Sequence, residues 1–376
     1  MANILDYLQW RGDVPFYADP FNEIDALVLS QFCYVPLDGI IPSDFSKAIT
    51  VEKAYSIYRP EKVPPEIKII SFENDNTLFK FMAESERFKN MLLTGYVNII
   101  DTEEEVQFSA LTVTVGDGTR FIAFSGTDGS VVGWKEDFAI SYLQQTAGQL
   151  YSVKYLNENF SETSPPLRIG GHSKGGNLAI YASAFARPEL RNCVSEIYSF
   201  DGPGFREEIT HSDEYISILP KIRSFVPESS VVGMLLSNSL SHTIVKSSVN
   251  GIMQHISYNW ELMRNRFDRT EELSKSGNII NKTIAGFLDD FSDEERKMFT
   301  DTLFAVLEAP EKDTLKEVVK GKWSAYSTMF KALRRLSPEQ QTVLKDAMRK
   351  IAKSGKNALK SDKEKTPALT MKESET

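Results

Sequence analysis

Residues 167–179 read Leu167-Arg168-Ile169-Gly170-Gly171-His172-Ser173-Lys174-Gly175-Gly176-Asn177-Leu178-Ala179. A short apolar run enters this stretch, and small and apolar residues at helical spacing leave it through Ala186. The G-x-S-x-G spacing around Ser173 predicts a sharp strand-to-helix turn, the nucleophile elbow. Such a turn forces strained backbone at the serine, and side chains two positions away on either side would clash. Glycine at 171 and 175 removes them, so the Ser173 hydroxyl can stand above a sheet. The backbone N–H of Lys174, at the helix N-terminus, then faces the place where an oxyanion would form. A phosphate-binding loop is excluded, because Lys174 is followed by Gly175 and not by Ser or Thr.

Composition bounds the rest. A chain of 376 residues has room for one large α/β domain with an appendage, or for two ordinary domains. The net charge of −9 offers no global basic field to nucleic acid. Two cysteines, Cys33 and Cys193, allow one disulfide at most and lack metal-ligand spacing, which suggests a reducing compartment. The N-terminus has neither the basic segment nor the apolar segment of a secretion signal. No run of about 18 apolar residues spans a membrane. A cytoplasmic location is therefore expected, with contact at a lipid surface left open.

Upstream of the turn, residues 1–20 are aromatic and broken by prolines. Asn22 and Glu23 cap a helix carrying Ile24, Leu27, Val28 and Phe32, which Pro36 is expected to stop. Residues 45–90 suggest two or three more helices, broken by Pro60 and Pro64-Pro65. From Gly95 to Phe124 the pattern turns β-rich: 95–100, 107–115 and 120–124, with Gly116-Asp117-Gly118 as a hairpin turn. The last of these runs ends in Phe124-Ser125-Gly126-Thr127, where this class of enzyme places its second oxyanion donor. The N–H of Thr127 is the candidate. Trp134, Glu136 and Asp137 suggest a buried ring and turn-stabilising carboxylates. Residues 141–158 then suggest a helix with Leu143, Leu150, Val153 and Leu156 on one face. This strand–helix–strand alternation implies parallel pairing with right-handed crossovers.

Downstream, Val194–Phe200 is the next expected strand, ending in Asp201-Gly202-Pro203-Gly204. The apolar runs 216–219 and 222–226 follow, the second leading into Pro227-Glu228-Ser229-Ser230. Asp201 and Glu228 both lie just past strand ends, where open α/β sheets keep their ligands. A further strand at 243–247 leads to Gln254-His255 and Trp260. From 265 to 355 the pattern is helical, in segments 279–290, 293–308, 311–334 and 337–353. The final residues are rich in Lys, Glu and Ser, and disorder is expected there.

Four histidines compete for the role of base. His172 lies inside the tight turn and cannot easily swing onto Ser173, so packing or a strand-edge hydrogen bond suits it better. His211 belongs to a polar loop. His242 stands near the start of a strand, at the wrong end. His255 follows a strand on the correct side, and the order Ser, carboxylate, His is that of the α/β-hydrolases. Asp201 is placed first as the acid and Glu228 second. In the mechanism this implies, His255 deprotonates Ser173, the acid holds the imidazole, and the amides of Thr127 and Lys174 stabilise the oxyanion. No metal or organic cofactor is called for.

These pieces resemble a known group. Phe-Ser-Gly-Thr (124–127), Gly-Trp-Lys-Glu-Asp-Phe (133–138), Gly-His-Ser-Lys-Gly-Gly-Asn-Leu-Ala (171–179) and Gln-His (254–255) before Trp260 are similar to the class 3 lipases of the α/β-hydrolase superfamily. The resemblance is closer to a related bacterial family, Mbeg1-like, in which Asp6-Tyr7-Leu8, Trp10-Arg11-Gly12-Asp13, Phe21-Asn22-Glu23, Asp25-Ala26-Leu27 and Ser199-Phe200-Asp201-Gly202-Pro203-Gly204 look at home. It covers about residues 1–262. It implies a lipase-like hydrolase fold with Ser173 as nucleophile and His255 as base. The class 3 lipases usually carry Arg where Ser125 stands, Gly where Asp201 stands and Asp near Glu228.

The expected architecture is an α/β-hydrolase-like, mostly parallel sheet flanked by helices, with a C-terminal helical extension. Its expected boundaries are 1–264 for the hydrolase-like domain, 265–355 for the extension and 356–376 for the tail. The expected activity is hydrolysis of a carboxylic ester of a lipid or small molecule. The alternatives are a non-catalytic binding module on the same fold, or an acyltransferase or thioesterase using the same residues.

Overall fold

A computed structural model describes residues 1–64, 68, 71–101, 106–127, 139–236, 240–275, 277–279, 282–283, 291–308 and scattered positions from 336 to 353. Trp134, Glu136 and Asp137 lie outside the described residues, as do most of 279–290, all of 311–334, eight of the residues 337–353 and all of the tail 356–376.

The N-terminal part supplies helices α1 (Ile4–Arg11), α2 (Glu23–Phe32), α3 (Val51–Ile57) and α4 (Phe72–Glu84), with strand β1 (Ile49–Thr50) just before α3. Asn3 and Asn22 cap α1 and α2 in full capping boxes, each accepting from the helix while an aspartate three residues on accepts the cap's own N–H. Helix α2 stops at Phe32, before Pro36 could end it. Strands β2 (Leu92–Asp101), β3 (Val106–Thr114) and β4 (Arg120–Phe124) form an antiparallel meander. The hairpin expected at Gly116-Asp117-Gly118 is present, with Gly118 at φ 86° and the Val115 amide donating to the Thr119 carbonyl at 2.9 Å.

Alternation then begins: α5 (Ala147–Asn159), β5 (Leu167–His172), α6 (Lys174–Phe185), α7 (Pro188–Cys193), β6 (Val194–Phe200), α8 (Glu207–Thr210), α9 (Asp213–Ile218), β7 (Ile222–Pro227) and β8 (His242–Val245). Short strands β9 (Leu262–Met263), β10 (Arg266–Phe267) and β11 (Arg269–Thr270) follow, and α10 (Asp293–Glu308) is the last described helix. Among the described residues one sheet has nine strands in the order β1-β2-β3-β4-β5-β6-β7-β8-β11, with β4 to β8 parallel. This is an α/β fold with a mixed, mostly parallel sheet. The sheet runs on to Thr270, past the boundary expected at 264.

The strand order explains the layers. When consecutive parallel strands are also neighbours, right-handed crossovers put every crossover helix on the same face. Tyr155 and Leu156 of α5, Leu178 and Tyr181 of α6, and Tyr215 and Ile218 of α9 accordingly share one core with Ile122, Phe124, Ile169 and Ile197. The opposite face exposes Phe121, Ala123, Tyr198, Phe200 and Phe225, and needs another cover. Helices α1, α2 and α4 provide it through Leu8, Leu27, Phe32, Phe79 and Met82. The N-terminal helices are thus half of the core.

The helix expected over 141–158 begins at Ala147, because Thr146 and Gln149 form a capping box there. Leu143 therefore precedes it, Leu150 is exposed, and the buried side carries Gln149, Ser152, Tyr155 and Leu156. The run 216–219 lies at the end of α9 and in a 3-10 turn, Leu219–Lys221, because the Ser212 hydroxyl caps a helix just upstream. No described helix is long and apolar enough to cross a membrane. Both cysteines are free.

Candidate active site

The turn at Ser173 is as sharp as its spacing demands. Ser173 sits between β5 and α6 at φ 57°, ψ −132°, a region costly for any residue with a side chain. What fixes it there is close packing against the end of β4. A Cβ on Gly175 would lie 2.1 Å from the Phe124 carbonyl oxygen, and one on Gly171 would lie 2.4 Å from the Gly175 oxygen. Neither position admits any other residue. The Ser173 amide donates to the Phe200 carbonyl at 2.8 Å, continuing the ladder one residue beyond β5.

Asp201 repeats the device one strand over. It follows β6 directly, has φ 53°, and its amide donates to the Phe225 carbonyl at 2.8 Å. This left-handed conformation turns its carboxylate along the sheet edge. One oxygen, Oδ1, accepts from the Ser230 hydroxyl and from the Gly233 amide at 3.1 Å. The other, Oδ2, lies 2.6 Å from His255 Nδ1. His255 Nε2 in turn lies 2.9 Å from Ser173 Oγ. Because a carboxylate only accepts, Nδ1 carries the proton and Nε2 is left to accept the serine's hydrogen. Exposure falls along the chain, from 22 % for the His255 side chain to none for Asp201. Solvent therefore meets the imidazole and not the acid.

His255 ends a short 3-10 turn, Gly251–His255, and a second turn, Ser257–Asn259, follows. Its neighbours are tied down individually. The buried Trp260 ring donates to the Gln254 carbonyl at 2.7 Å. The Gln254 side chain accepts from the Ser229 amide at 2.7 Å and donates to the Val249 carbonyl at 2.8 Å. Ser257 donates to Gln31 of α2, Gln31 donates to Asp75 of α4, and Tyr258 donates to the same Asp75 oxygen at 2.7 Å. Burial pushes the Asp75 carboxyl up to about 6.

Glu228 stands apart from this group. It is joined through its main chain, its amide donating to Val245 and its carbonyl accepting from Ser274. Asp201, and not Glu228, meets His255. The loop after β7 still matters to the site, through Ser229 and Ser230. Thr127 lies in the turn after β4, next to Gly126, whose own Cβ would stand 3.0 Å from Ser173 Cβ. That turn passes beside the serine. Lys174 opens α6 and is buried, its ammonium donating to the Gln107 carbonyl and side-chain oxygen, each at 2.7 Å.

His242 and His172 have partners of their own. His242 starts β8 and meets Ser224 Oγ at 2.8 Å, and burial lowers its pKa. His172 does more than pack: its Nε2 lies 2.8 Å from the His255 carbonyl oxygen and its Nδ1 3.2 Å from the Tyr34 hydroxyl. The sequence carried no signal for that contact, since it is made to a main-chain atom far along the chain. Among the described residues, no three His, Cys, Asp or Glu side chains converge as a metal site requires. A crevice of about 360 Å³ near Glu23, Glu196, Tyr198 and Arg223 lies toward the starts of β6 and β7, away from Ser173.

The fold and this edge define the class: an α/β protein whose strand ends bring a serine, a histidine and an aspartate into one hydrogen-bonded line. The chain belongs to the Mbeg1-like family, whose profile matches residues 82–305. Among solved structures the chain is similar to M37 lipase, 13 % identical over 64 % of this chain and 82 % of that one, with a TM-score of 0.35. None of the curated proteins matches.

Proposed function

We propose that this protein is a serine hydrolase of α/β-hydrolase type that cleaves carboxylic esters, with Ser173 as nucleophile, His255 as base and Asp201 as acid. The observation that carries the proposal is the continuous pair of hydrogen bonds, 2.9 Å from His255 to Ser173 and 2.6 Å from His255 to Asp201. In the first step Ser173 Oγ bonds to the carbonyl carbon as its proton passes to His255 Nε2. The carbonyl oxygen takes up the electron pair as an oxyanion, received by the amides of Thr127 and Lys174. Asp201 stabilises the imidazolium without itself being protonated. Collapse breaks the bond to the alcohol oxygen, which leaves with the proton from Nε2. Water, deprotonated by His255, then cleaves the acyl ester on Ser173 and restores the enzyme. The strained serine suits this role, because a nucleophile held at φ 57° cannot relax into the helix behind it.

Fluorophosphonate labelling tests the proposal. The wild type is expected to take up one probe at Ser173, Ser173→Ala none, and His255→Ala far less. A folded wild-type protein that never labels, and that leaves short- and long-chain p-nitrophenyl esters intact, would remove the hydrolase assignment.

A further inference from the structure

The residue just before the candidate nucleophile holds the residue that carries the base. His172 is 6 % exposed, and its ring lies 4.7 Å from that of His255, centroid to centroid. A carbonyl oxygen can only accept, so the 2.8 Å contact to the His255 carbonyl fixes the proton of His172 on Nε2. Nδ1 is then an acceptor, and the Tyr34 hydroxyl faces it at 3.2 Å. The Tyr34 hydroxyl also lies 3.1 Å from the His172 carbonyl, so its one hydrogen is shared between two acceptors of the same residue.

A closed loop results. Ser173 is hydrogen-bonded to the His255 side chain, the His255 main chain to the His172 side chain, and His172 to Ser173 through the peptide bond. The distance between nucleophile and base is therefore not left to the 3-10 turn alone. The choice of histidine also has an electrostatic reason. When His255 becomes a cation during the reaction, a cationic neighbour would oppose it, whereas a neutral donor would not. Burial first, and the nearby His255 second, push the His172 pKa down to about 3, so it stays neutral.

We propose that His172 is a positioning residue: its neutral Nε2–H, oriented by Tyr34, sets the reach of His255 to Ser173. The proposal rests on the hydrolase assignment for its catalytic consequence but not for its geometry. Three variants test it. His172→Phe keeps a ring and loses the donor. His172→Gln places an amide N–H near the former Nε2. Tyr34→Phe removes only the hydroxyl.

Small errors in the placement of reacting groups cost up to about 100-fold, so His172→Phe is expected to slow fluorophosphonate labelling roughly 10- to 100-fold. Its effect on esters should fall on kcat, with KM within about twofold of wild type. His172→Gln should recover to within about threefold of wild type, and Tyr34→Phe should fall between the two. A second readout needs no turnover. The His255 Nδ1 proton shared with Asp201 should give a protected low-field proton resonance in the wild type, broadened by exchange in His172→Phe and sharp again in His172→Gln.

Wild-type labelling and resonance in His172→Phe would overturn the proposal. So would His172→Gln behaving as badly as His172→Phe, or a wild type with no protected resonance. A wild type that never labels, but whose resonance responds to the three variants as described, would support the positioning role while removing the hydrolase.

Discussion

Ser230 donates its hydroxyl to Asp201, so the carboxylate facing His255 is held from behind by the loop after β7. The same loop begins with Glu228, the rival carboxylate. The two acids thus divide the work expected of one: Asp201 meets the imidazole, and the segment containing Glu228 steadies Asp201. Asp201→Asn should lower kcat about 10⁴-fold, because an amide in place of the carboxylate favours the wrong imidazole tautomer. Ser230→Ala leaves Gly233 as a donor to Oδ1 and should cost about tenfold, the value of one hydrogen bond to a charged group. Glu228→Gln should stay within about threefold, since a rim carboxylate with no bond to the imidazole contributes little. Ester kinetics on the three variants decide the assignment. A large loss in Glu228→Gln with activity kept in Asp201→Asn would reverse it.

Ser173 and its neighbours were legible in the sequence because glycine spacing reports a steric demand, and the demand is local. Gly171 and Gly175 leave no room for Cβ atoms, and that fact is written at fixed offsets from the serine. The choice of Asp201 over Glu228 was legible only by a narrow margin, because both follow a strand. What separates them is the left-handed backbone at Asp201 and the two donors behind it, which arrive from residues 230 and 233. His172 was half legible. Its inability to reach Ser173 follows from the turn, but its grip on the His255 carbonyl depends on how two distant segments fold together. The start of α5 was misjudged because leucine periodicity outweighed a capping box at Thr146 and Gln149, and the buried side of that helix is largely polar. Helix α2 and the helices within 45–90 were legible as helices, but α1 was not, because the aromatic and proline-broken stretch 1–20 hid its Asn3 capping box. Their role as cover for one sheet face follows from strand order, which no local pattern contains.

Strain at the serine predicts a trade between stability and reactivity. Ser173→Ala and Ser173→Gly both lose the hydroxyl and its bond to His255, so they differ only in backbone preference. A residue with a Cβ pays about 1–2 kcal/mol for a left-handed conformation that glycine adopts freely, offset by glycine's greater freedom when unfolded. Ser173→Gly should therefore be more stable than Ser173→Ala by about 1 kcal/mol. Urea midpoints of the two variants check this, and an alanine variant at least as stable as the glycine one would contradict the strained turn.

Asp75 makes stability depend on pH in an unusual direction. Its folded pKa, raised by burial to about 6, lies above the ordinary carboxylate value. Between the two values the folded state binds more protons than the unfolded state, so the contribution of Asp75 to stability falls as pH rises. Across the whole window the change is about 3 kcal/mol, from about 1.4 kcal/mol per pKa unit. Asp75→Asn removes the titration but keeps an oxygen for Tyr258 and Gln31. The stability of the wild type relative to this variant should fall by about 2–3 kcal/mol between pH 4 and pH 7. His172 acts in the opposite sense: its depressed pKa means stability is lost as pH falls below the ordinary histidine value. His172→Gln should accordingly gain on the wild type upon acidification. Paired denaturation curves at the two pH values separate these effects, and equal shifts of one sign in both variants would show that neither group is held as described.

The tightest steric claim concerns Gly175, whose substitution differs in kind from that of a glycine elsewhere. At Gly39, φ is 71° and a Cβ would meet nothing within 4 Å, so Gly39→Ala pays only for backbone conformation. That cost is about 1–2 kcal/mol, and labelling of Ser173 should continue at the wild-type rate. At Gly175 a Cβ would lie 2.1 Å from the Phe124 carbonyl oxygen and 2.9 Å from its carbon, both main-chain atoms of a buried strand. Neither atom can rotate away. Accommodation requires α6 to lift from the end of β4, which moves Ser173 and the Gly126–Thr127 turn apart. Gly175→Ala should therefore cost more than about 3 kcal/mol and abolish labelling even in the fraction that remains folded. Measuring both variants side by side tests the turn itself: if Gly175→Ala folds and labels like Gly39→Ala, then β4 and α6 are not in the contact on which the whole site is built.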